Sequence, residues 1–418
     1  MRYVIQGRRR LEGQVRVSGA KNAVLPVMAA TVLARRPCLL QDAPDLRDVA
    51  VMSEILRGLG ARVRWVEYGG RRALEVDPSA ISVTEVPDQL MQQMRSSIFL
   101  MGPILGRLGR VRISHPGGCA IGPRPIDLHL RGLEALGATI RERYGYIHAE
   151  ANRLRGREVH LDFPSVGATE NVMMAAVLAD GVTIIRNAAK EPEIIDLQNF
   201  LNGMGARVKG AGLDAIRIEG VEHLEGAEHA VSPDRIETGT FMATAALVGG
   251  EIRIDNCIPE HLDAVIAKLR ECGVTIREEV GRLQVTGSGR PLPVDVKTLP
   301  YPGFPTDMQP QFMVLACCAR GTSVITETIF ENRFKHVEEL CRMGAQIKTE
   351  GRSAIVRGVE CLSGAAVEAT DLRNGAALVM AGLAAEGTTV VSGVTHIDRG
   401  YEKLELKLAQ LGADIRRE

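Results

Sequence analysis

A Leu-rich helix end that runs into glycine and then into a β-rich stretch recurs six times, at RGLGARV, EALGATI, NGMGARV, RECGVTI, CRMGAQI and AQLGADI. The glycines are Gly60, Gly137, Gly205, Gly273, Gly344 and Gly412, separated by 77, 68, 68, 71 and 68 residues. Six units of about 70 residues account for the whole chain of 418, which restricts it to an architecture made by repeating one supersecondary unit. A second series with the same period marks a break and a strand after a longer helix: ARRPCLLQDA, GRLGRVRISH, ADGVTIIRNA, VGGEIRIDNC, ARGTSVITET and AEGTTVVSGV.

In the third unit EVHLDF reads as a strand, 168–179 as a helix, TIIRNA as a strand, 193–204 as a helix, and RVKGAG and AIRIEG as two more strands. Each unit is therefore β-α-β-α-β-β, an α/β class. Glycine closes its second helix, where a left-handed residue is needed and a Cβ is penalised. That role accounts for much of the glycine excess in a chain with 44 glycines, which show no collagen-like period. The sixth unit stops one strand short, and RYVIQG at the N-terminus is a spare strand ahead of GQVRVSGA, which reads as the first unit's own strand. Pairing the spare strand with the last unit gives two three-unit domains, 20–229 and 1–19 plus 230–418. A cleft between two such domains is the default place for a small ligand.

The charge balance of 51 basic to 51 acidic residues, with 4% aromatics, argues against a nucleic-acid binder. The chain has no signal-peptide pattern and no apolar run long enough to span a bilayer. Its eight cysteines include no CxxC pair. A cytoplasmic protein with reduced thiols and no membrane partner is expected.

In a repeat, structural residues recur, so residues that differ between equivalent loops are the functional candidates. The loops into the first helix of each unit carry Lys21 with Asn22, Arg95, Ser165 with Thr169, Arg235 with Glu237, Asp307, and Arg373. Those into the second helix carry Asp48, Cys119 with Arg124, Glu191, Glu260, Arg333, and Arg399. Six cations at equivalent loops (Lys21, Arg95, Arg124, Arg333, Arg373 and Arg399), next to helix N-termini that favour anions, suit a substrate carrying phosphate and carboxylate. The plainer alternative is a set of solvated caps.

The second unit is the longest, with 28 residues from Gly109 to Gly137 against 23 to 25 in the others, and the excess falls in HPGGCAIGPRPID. A thiol at Cys119, flanked by Gly117, Gly118 and Gly122 and close to Arg124, is placed to ionise or to donate a proton. The other seven cysteines lie in recurring helices and strands and read as small hydrophobes. Ser18-Gly-Ala-Lys21 matches an S-x-x-K nucleophile pattern, but its companion motifs are absent. Cys257 and His261 lack a second ligand pair for a metal.

The runs SGAKNA, PGGCAIGPRPIDLH, SVGATEN, DRIETGTF, FPTDMQ, ENRF and HIDRGYEKL resemble the UDP-N-acetylglucosamine 1-carboxyvinyltransferase family of enolpyruvyl transferases, over essentially the whole chain. The resemblance implies an inside-out α/β barrel of two three-repeat domains. It also implies transfer of the enolpyruvyl group of phosphoenolpyruvate to the 3′-hydroxyl of the sugar nucleotide, with no cofactor and no metal. Peptidoglycan synthesis, and through it cell shape and division, would depend on that step.

On the family's pattern Cys119 matches the general acid, able to form a covalent adduct with phosphoenolpyruvate and to react with fosfomycin, and Asp307 matches the base. Lys21, Arg124 and Arg399 match phosphate ligands, with Lys21 also counted as catalytic, and Arg333 and Arg373 match the carboxylate side. Asn22, Arg95, Arg124, Pro125, Ile126, Asp127, Leu128, Ser165, Val166, Asp307 and Ile329 match positions that hold the sugar nucleotide, and Asn22 also borders phosphoenolpyruvate. Gln92, Gln93 and Phe163 depart from residues common in the family near the diphosphate-uridine. Two rivals stay open: the sister transferase acting on shikimate 3-phosphate, and a non-catalytic sensor of the sugar nucleotide, which would be free to lose Cys119 or Asp307.

Overall fold

The computed structural model describes residues 1–117, 126–287 and 289–418. They form two compact units, one made of 1–18 and 233–418, the other of residues between 19 and 232. Each has its own apolar core.

Within each unit the helices lie inside and the sheets outside, for a reason visible in composition. The first helix of a repeat is apolar almost all round and so must be buried, whereas the second has one polar face. Arg235–Val248, Gln309–Cys318 and Leu372–Ala384 are first helices that pack on one another. In the other unit Met101–Leu108 packs on Val166–Ala176, and the 3-10 turn Arg95–Leu100 reaches Lys21–Ala30. Arg47–Gly58 shows the second type, burying Val49, Met52, Ile55 and Leu56 while exposing Arg47, Glu54 and Arg57. Close approach of the first helices depends on glycine: a Cβ on Gly102 would stand 2.2 Å from the Asn171 carbonyl oxygen.

The second helices end as the repeat requires. Gly60, Gly137, Gly205, Gly273, Gly344 and Gly412 all have φ between 87° and 108°.

Among the described residues five sheets have four strands and one has three. The third repeat is representative: Arg207–Lys209, Ala215–Glu219 and Val182–Arg186 run antiparallel, and Glu158–His160 adds a parallel edge. In the second repeat that edge shrinks to one bridge between Glu85 and Arg112, because Pro87 follows at once and leads into the helix Asp88–Gln93. The N-terminal strand Arg2–Gln6 lies between Thr388–Ser392 and Asp414–Arg417 in the sixth repeat's sheet.

One expectation is corrected. Leu11–Arg16, which reads as the first unit's own strand, pairs with Gly250–Asp255 of the fourth repeat, and Glu228–Ala230 pairs with Cys38–Gln41 of the first. These two leading strands are exchanged because the chain changes unit just after each of them. Each crossing is tied within the unit it enters or leaves: Ala20 N–H donates to Ser232 O at 2.7 Å, and Asp234 N–H to Ser18 O at 2.9 Å.

Candidate functional site

In the unit of 1–18 and 233–418, Asp307 sits in the short turn Thr306–Met308 that opens the helix Gln309–Cys318. Its Oδ1 accepts from Arg333 Nη2 at 2.9 Å and its Oδ2 from Arg373 Nε at 3.0 Å. Both arginine side chains are 2% exposed, against 26% for Asp307, so the carboxylate is the open face of the cluster. Burial alone would raise the Asp307 pKa, but Arg373 and Arg333 override it and hold the carboxyl far below the ordinary range. Arg333 Nε and Arg373 Nη1 are buried donors without a hydrogen-bond partner among the described residues. Two cations around one carboxylate, with donors to spare, give this cluster the capacity to bind an anion.

Local structure fixes each arm. Asp371 caps the helix Leu372–Ala384, accepting from the amides of Arg373 and Asn374 at 2.8 and 3.0 Å, which sets Arg373 in the first turn. Arg333 lies just before the helix His336–Arg342, its guanidinium 5.3 Å from the Phe330 ring. The loop holding Ile329 hangs on Glu327: its Oε1 accepts from the amides of Ile329 and Phe330 at 2.8 and 3.1 Å, and its Oε2 from Thr306 Oγ1 at 2.8 Å. Glu327 thus joins both site loops of the repeat. Sequence reasoning missed it, and only its place at the end of the strand Thr322–Thr326 signals it. Arg399, on the loop before Gly400 and Tyr401, is partly exposed.

In the other unit Lys21 opens its helix, and its ammonium lies 3.0 Å from Asp48 Oδ2, both side chains being buried. Asn22 and Arg95 are partly exposed, Arg95 opening the turn Arg95–Leu100. Ser165 caps the helix Val166–Ala176, its Oγ accepting from Ala168 N–H at 3.4 Å. Ile126 is buried, while Asp127 and Leu128 are half-buried in the first turn of Asp127–Ala135. Beneath them Asn171 donates to Ile98 O at 2.9 Å and pairs with His129 Nδ1 at 3.0 Å, and its Oδ1 accepts from Gly102 N–H at 2.5 Å. Glu170 is fully buried, and its carboxyl is pushed well above the usual range by burial and by the charges of Glu193 and Glu191. Gln92, Gln93 and Phe163 are exposed.

Cys119, Arg124 and Pro125 lie outside the described residues. Of the other cysteines, Cys38, Cys257, Cys272, Cys317 and Cys318 are buried. Cys341 is exposed on the outer side of its helix and Cys361 is half-buried between strands, so the expectation of seven packed thiols holds for five. The described residues contain no metal-ligand cluster and no helix long and apolar enough to cross a membrane.

Comparison with known proteins covers the full chain. The family profile for EPSP synthase (3-phosphoshikimate 1-carboxyvinyltransferase) matches residues 5–408. UDP-N-acetylglucosamine 1-carboxyvinyltransferase 1 of Symbiobacterium thermophilum is 62% identical over 418 residues, spanning 100% of this chain and 95% of that protein. The corresponding transferase of Gloeobacter violaceus is 54% identical over 414 residues, spanning 99% of this chain and 90% of that one. The crystal structure of the enolpyruvyl transferase NikO from Streptomyces tendae superposes with a TM-score of 0.89 at 26% identity, covering 99% of this chain and 98% of that one. EPSP synthase from Acinetobacter baumannii shares the fold, with a TM-score of 0.74 at 17% identity, covering 100% and 99%.

Proposed function

The chain belongs to the EPSP synthase family of enolpyruvyl transferases, among its UDP-N-acetylglucosamine 1-carboxyvinyltransferases, and from that premise we propose that it moves the enolpyruvyl group of phosphoenolpyruvate onto the 3′-hydroxyl of UDP-N-acetylglucosamine. Phosphate is released, and the product commits the sugar to peptidoglycan. A nucleotide-sugar substrate places the work in the cytoplasm. The sugar nucleotide is favoured over shikimate 3-phosphate because full-length relatives named for it reach 62% identity, whereas the EPSP synthase structure shares 17%.

The observation that carries the chemistry is Asp307 held between Arg333 and Arg373. In the addition step the sugar 3′-oxygen bonds to the central vinyl carbon as its proton passes to Asp307, and the methylene carbon takes a proton from an acid. Loss of phosphate and of one methyl proton then restores the double bond. A carboxylate clamped by two guanidiniums is a weak base, so the site needs a competing anion. The substrate carboxylate supplies it: by engaging the spare donors of Arg333 and Arg373 it loosens their hold and raises the proton affinity of Asp307.

The remaining roles rest on the family likeness. Cys119 is the acid and the adduct-forming nucleophile, and Lys21, Arg124 and Arg399 take the phosphate. Asn22, Arg95, the stretch Arg124, Pro125, Ile126, Asp127 and Leu128, and Ser165, Val166 and Ile329 hold the sugar nucleotide. Lys21, kept in place by Asp48, is a buried cation of the kind that stabilises a departing phosphate.

Phosphate release measured with each substrate alone, with both, and with shikimate 3-phosphate as acceptor tests the reading. Release only with phosphoenolpyruvate and UDP-N-acetylglucosamine together is expected. A higher kcat/KM for shikimate 3-phosphate overturns the acceptor assignment, and full activity of Cys119→Ser overturns the acid.

A further inference from the structure

Three polar side chains sit among apolar neighbours behind the Asp307 cluster, and the reaction chemistry leaves them unused. Thr240 lies in the helix Arg235–Val248, Gln311 in Gln309–Cys318, and Tyr401 on the loop after Arg399, at 2%, 0% and 1% exposure. Gln311 Nε2 donates to Thr240 Oγ1 at 3.0 Å and to the Tyr401 hydroxyl oxygen at 3.2 Å. Thr240 Oγ1 and the Tyr401 hydroxyl are 3.0 Å apart. Because the Thr240 proton already goes to Ile236 O at 2.8 Å, the Tyr401 hydroxyl must be the donor in that last contact. Every proton in the triangle is committed, and the hydroxyl end of the ring cannot shift sideways without breaking two hydrogen bonds in a dry interior. The Arg373 guanidinium carbon stands 5.3 Å from the centroid of that ring.

We propose that Tyr401 is a positioning residue for the transfer reaction: its ring, locked by Gln311 and Thr240, keeps the Arg373 guanidinium turned toward Asp307. The proposal rests on the reading of Asp307 and Arg373 as site groups.

Arg373 has rivals for its charge. Asp371, two residues earlier, has a buried Oδ2 without a partner among the described residues, and the field of Asp234 also reaches Arg373. A guanidinium on a flexible stem goes to whichever carboxylate its packing allows, and the flat face of an aromatic ring is a surface on which it holds one orientation. Arg333 has the same arrangement with Phe330 at 5.3 Å. Both arginines that grip Asp307 therefore rest on a ring, and only the Tyr401 ring is itself tied down by a hydroxyl network drawn from two other helices of the unit. A small misplacement of Arg373 would cost rate through orientation, without removing any group that reacts.

Steady-state kinetics of Tyr401→Phe, Tyr401→Leu, Gln311→Met and Arg373→Ala, each assayed well below its own melting temperature and with each substrate varied, test this. Tyr401→Phe keeps the ring and frees it, and should lower kcat about tenfold and raise KM for phosphoenolpyruvate several-fold, with KM for the sugar nucleotide within about twofold. Gln311→Met should reproduce that pattern, and Tyr401→Leu should be worse by about a further tenfold, so that phenylalanine counts as partial rescue. If the Tyr401 variants lose only thermal stability and keep wild-type kcat and KM for phosphoenolpyruvate, or if both KM values rise alike, the positioning role is wrong. If Arg373→Ala leaves KM for phosphoenolpyruvate unchanged, the site reading beneath it is what fails.

Discussion

Lys21 and Asp48 form a buried ion pair of 3.0 Å on the two loops of the first repeat that, in the fifth, carry Asp307 and Arg333 at 2.9 Å with the charges reversed. One scaffold position has thus been used twice for a cross-loop pair, once with an ammonium on the first-helix loop and once with a carboxylate there. In both pairs the first-helix partner is the more exposed of the two. Asp307 is 26% exposed beside arginines at 2%, while Lys21 is at 10% beside Asp48 at 2%.

The Lys21 pair should be coupled in stability. Asp48→Asn leaves a buried ammonium without that carboxylate, and Lys21→Met leaves the carboxylate without that ammonium, so each should cost about 3 kcal/mol, whereas the double variant should cost clearly less than their sum. Urea unfolding of the four proteins measures this. Additive losses would mean that the contact does not bind the two residues energetically.

Asp307 should leave no acidic limb in the free enzyme's pH profile. Its folded pKa is depressed by Arg373 and Arg333 against the opposing effect of burial, so the stability it contributes is present above the unfolded carboxyl value of about 4 and lost as the pH falls below it. Across pH 5–9, kcat/KM should show no titration of this group. In Arg373→Ala burial is opposed by one guanidinium instead of two, and a limb should move up into the measurable range, while Asp307→Asn should lose about 10²–10⁴-fold in kcat. An unshifted profile in Arg373→Ala would show that the pair does not govern the carboxyl.

Thiol reactivity should separate two classes. Burial raises the pKa of Cys38 to about 11 and those of Cys257, Cys272 and Cys318 to about 12, which leaves almost no thiolate at pH 8. In a Cys119→Ser background, Ellman's reagent should label the exposed Cys341 first and the half-buried Cys361 next, with the buried five reacting only on denaturation. Rapid labelling of more than two thiols in the native protein would contradict the packing.

Much of the fold was legible because its constraints are periodic. The six second-helix glycines could be placed from spacing, since a left-handed cap excludes most other residues at a recurring position. The exchange of Leu11–Arg16 with Glu228–Ala230 was not, because both strands carry the same alternation and nothing local says which sheet edge each will meet. Charged residues at loop positions that break the repeat stood out: Lys21, Asp307, Arg333 and Arg373 could be named as candidates, and the fold pairs Lys21 with Asp48 and Asp307 with both arginines. Their supports could not. Nothing in the local pattern marks Glu327, Asn171, Gln311 or Tyr401, and apart from the Ile329 and Phe330 amides at Glu327 their side-chain partners come from segments distant in sequence. Cys341 was misread for a related reason, since its helix is too short for one turn of pattern to tell the inner face from the outer.

Glu170 should make the protein less stable as the pH rises. Its carboxyl is wholly buried, neither oxygen has a hydrogen-bond partner among the described residues, and burial together with the charges of Glu193 and Glu191 pushes its pKa well up. A group whose folded pKa exceeds its unfolded value contributes fully below the unfolded value of about 4, and its contribution is lost as the pH climbs toward the folded one. Ionising Glu170 would put a second negative charge beside Glu193 in a dry interior, so the protonated acid is the form the packing accepts. Glu170→Gln keeps the size and polarity of that neutral acid and cannot ionise. Relative to wild type it should therefore gain stability as the pH rises above 5, at up to about 1.4 kcal/mol per pH unit until the folded carboxyl ionises, while wild type declines. Calorimetric melting of both proteins across that range reads the difference directly. Parallel curves would mean that Glu170 carries the same charge folded and unfolded, and that its neighbours tolerate a buried carboxylate after all.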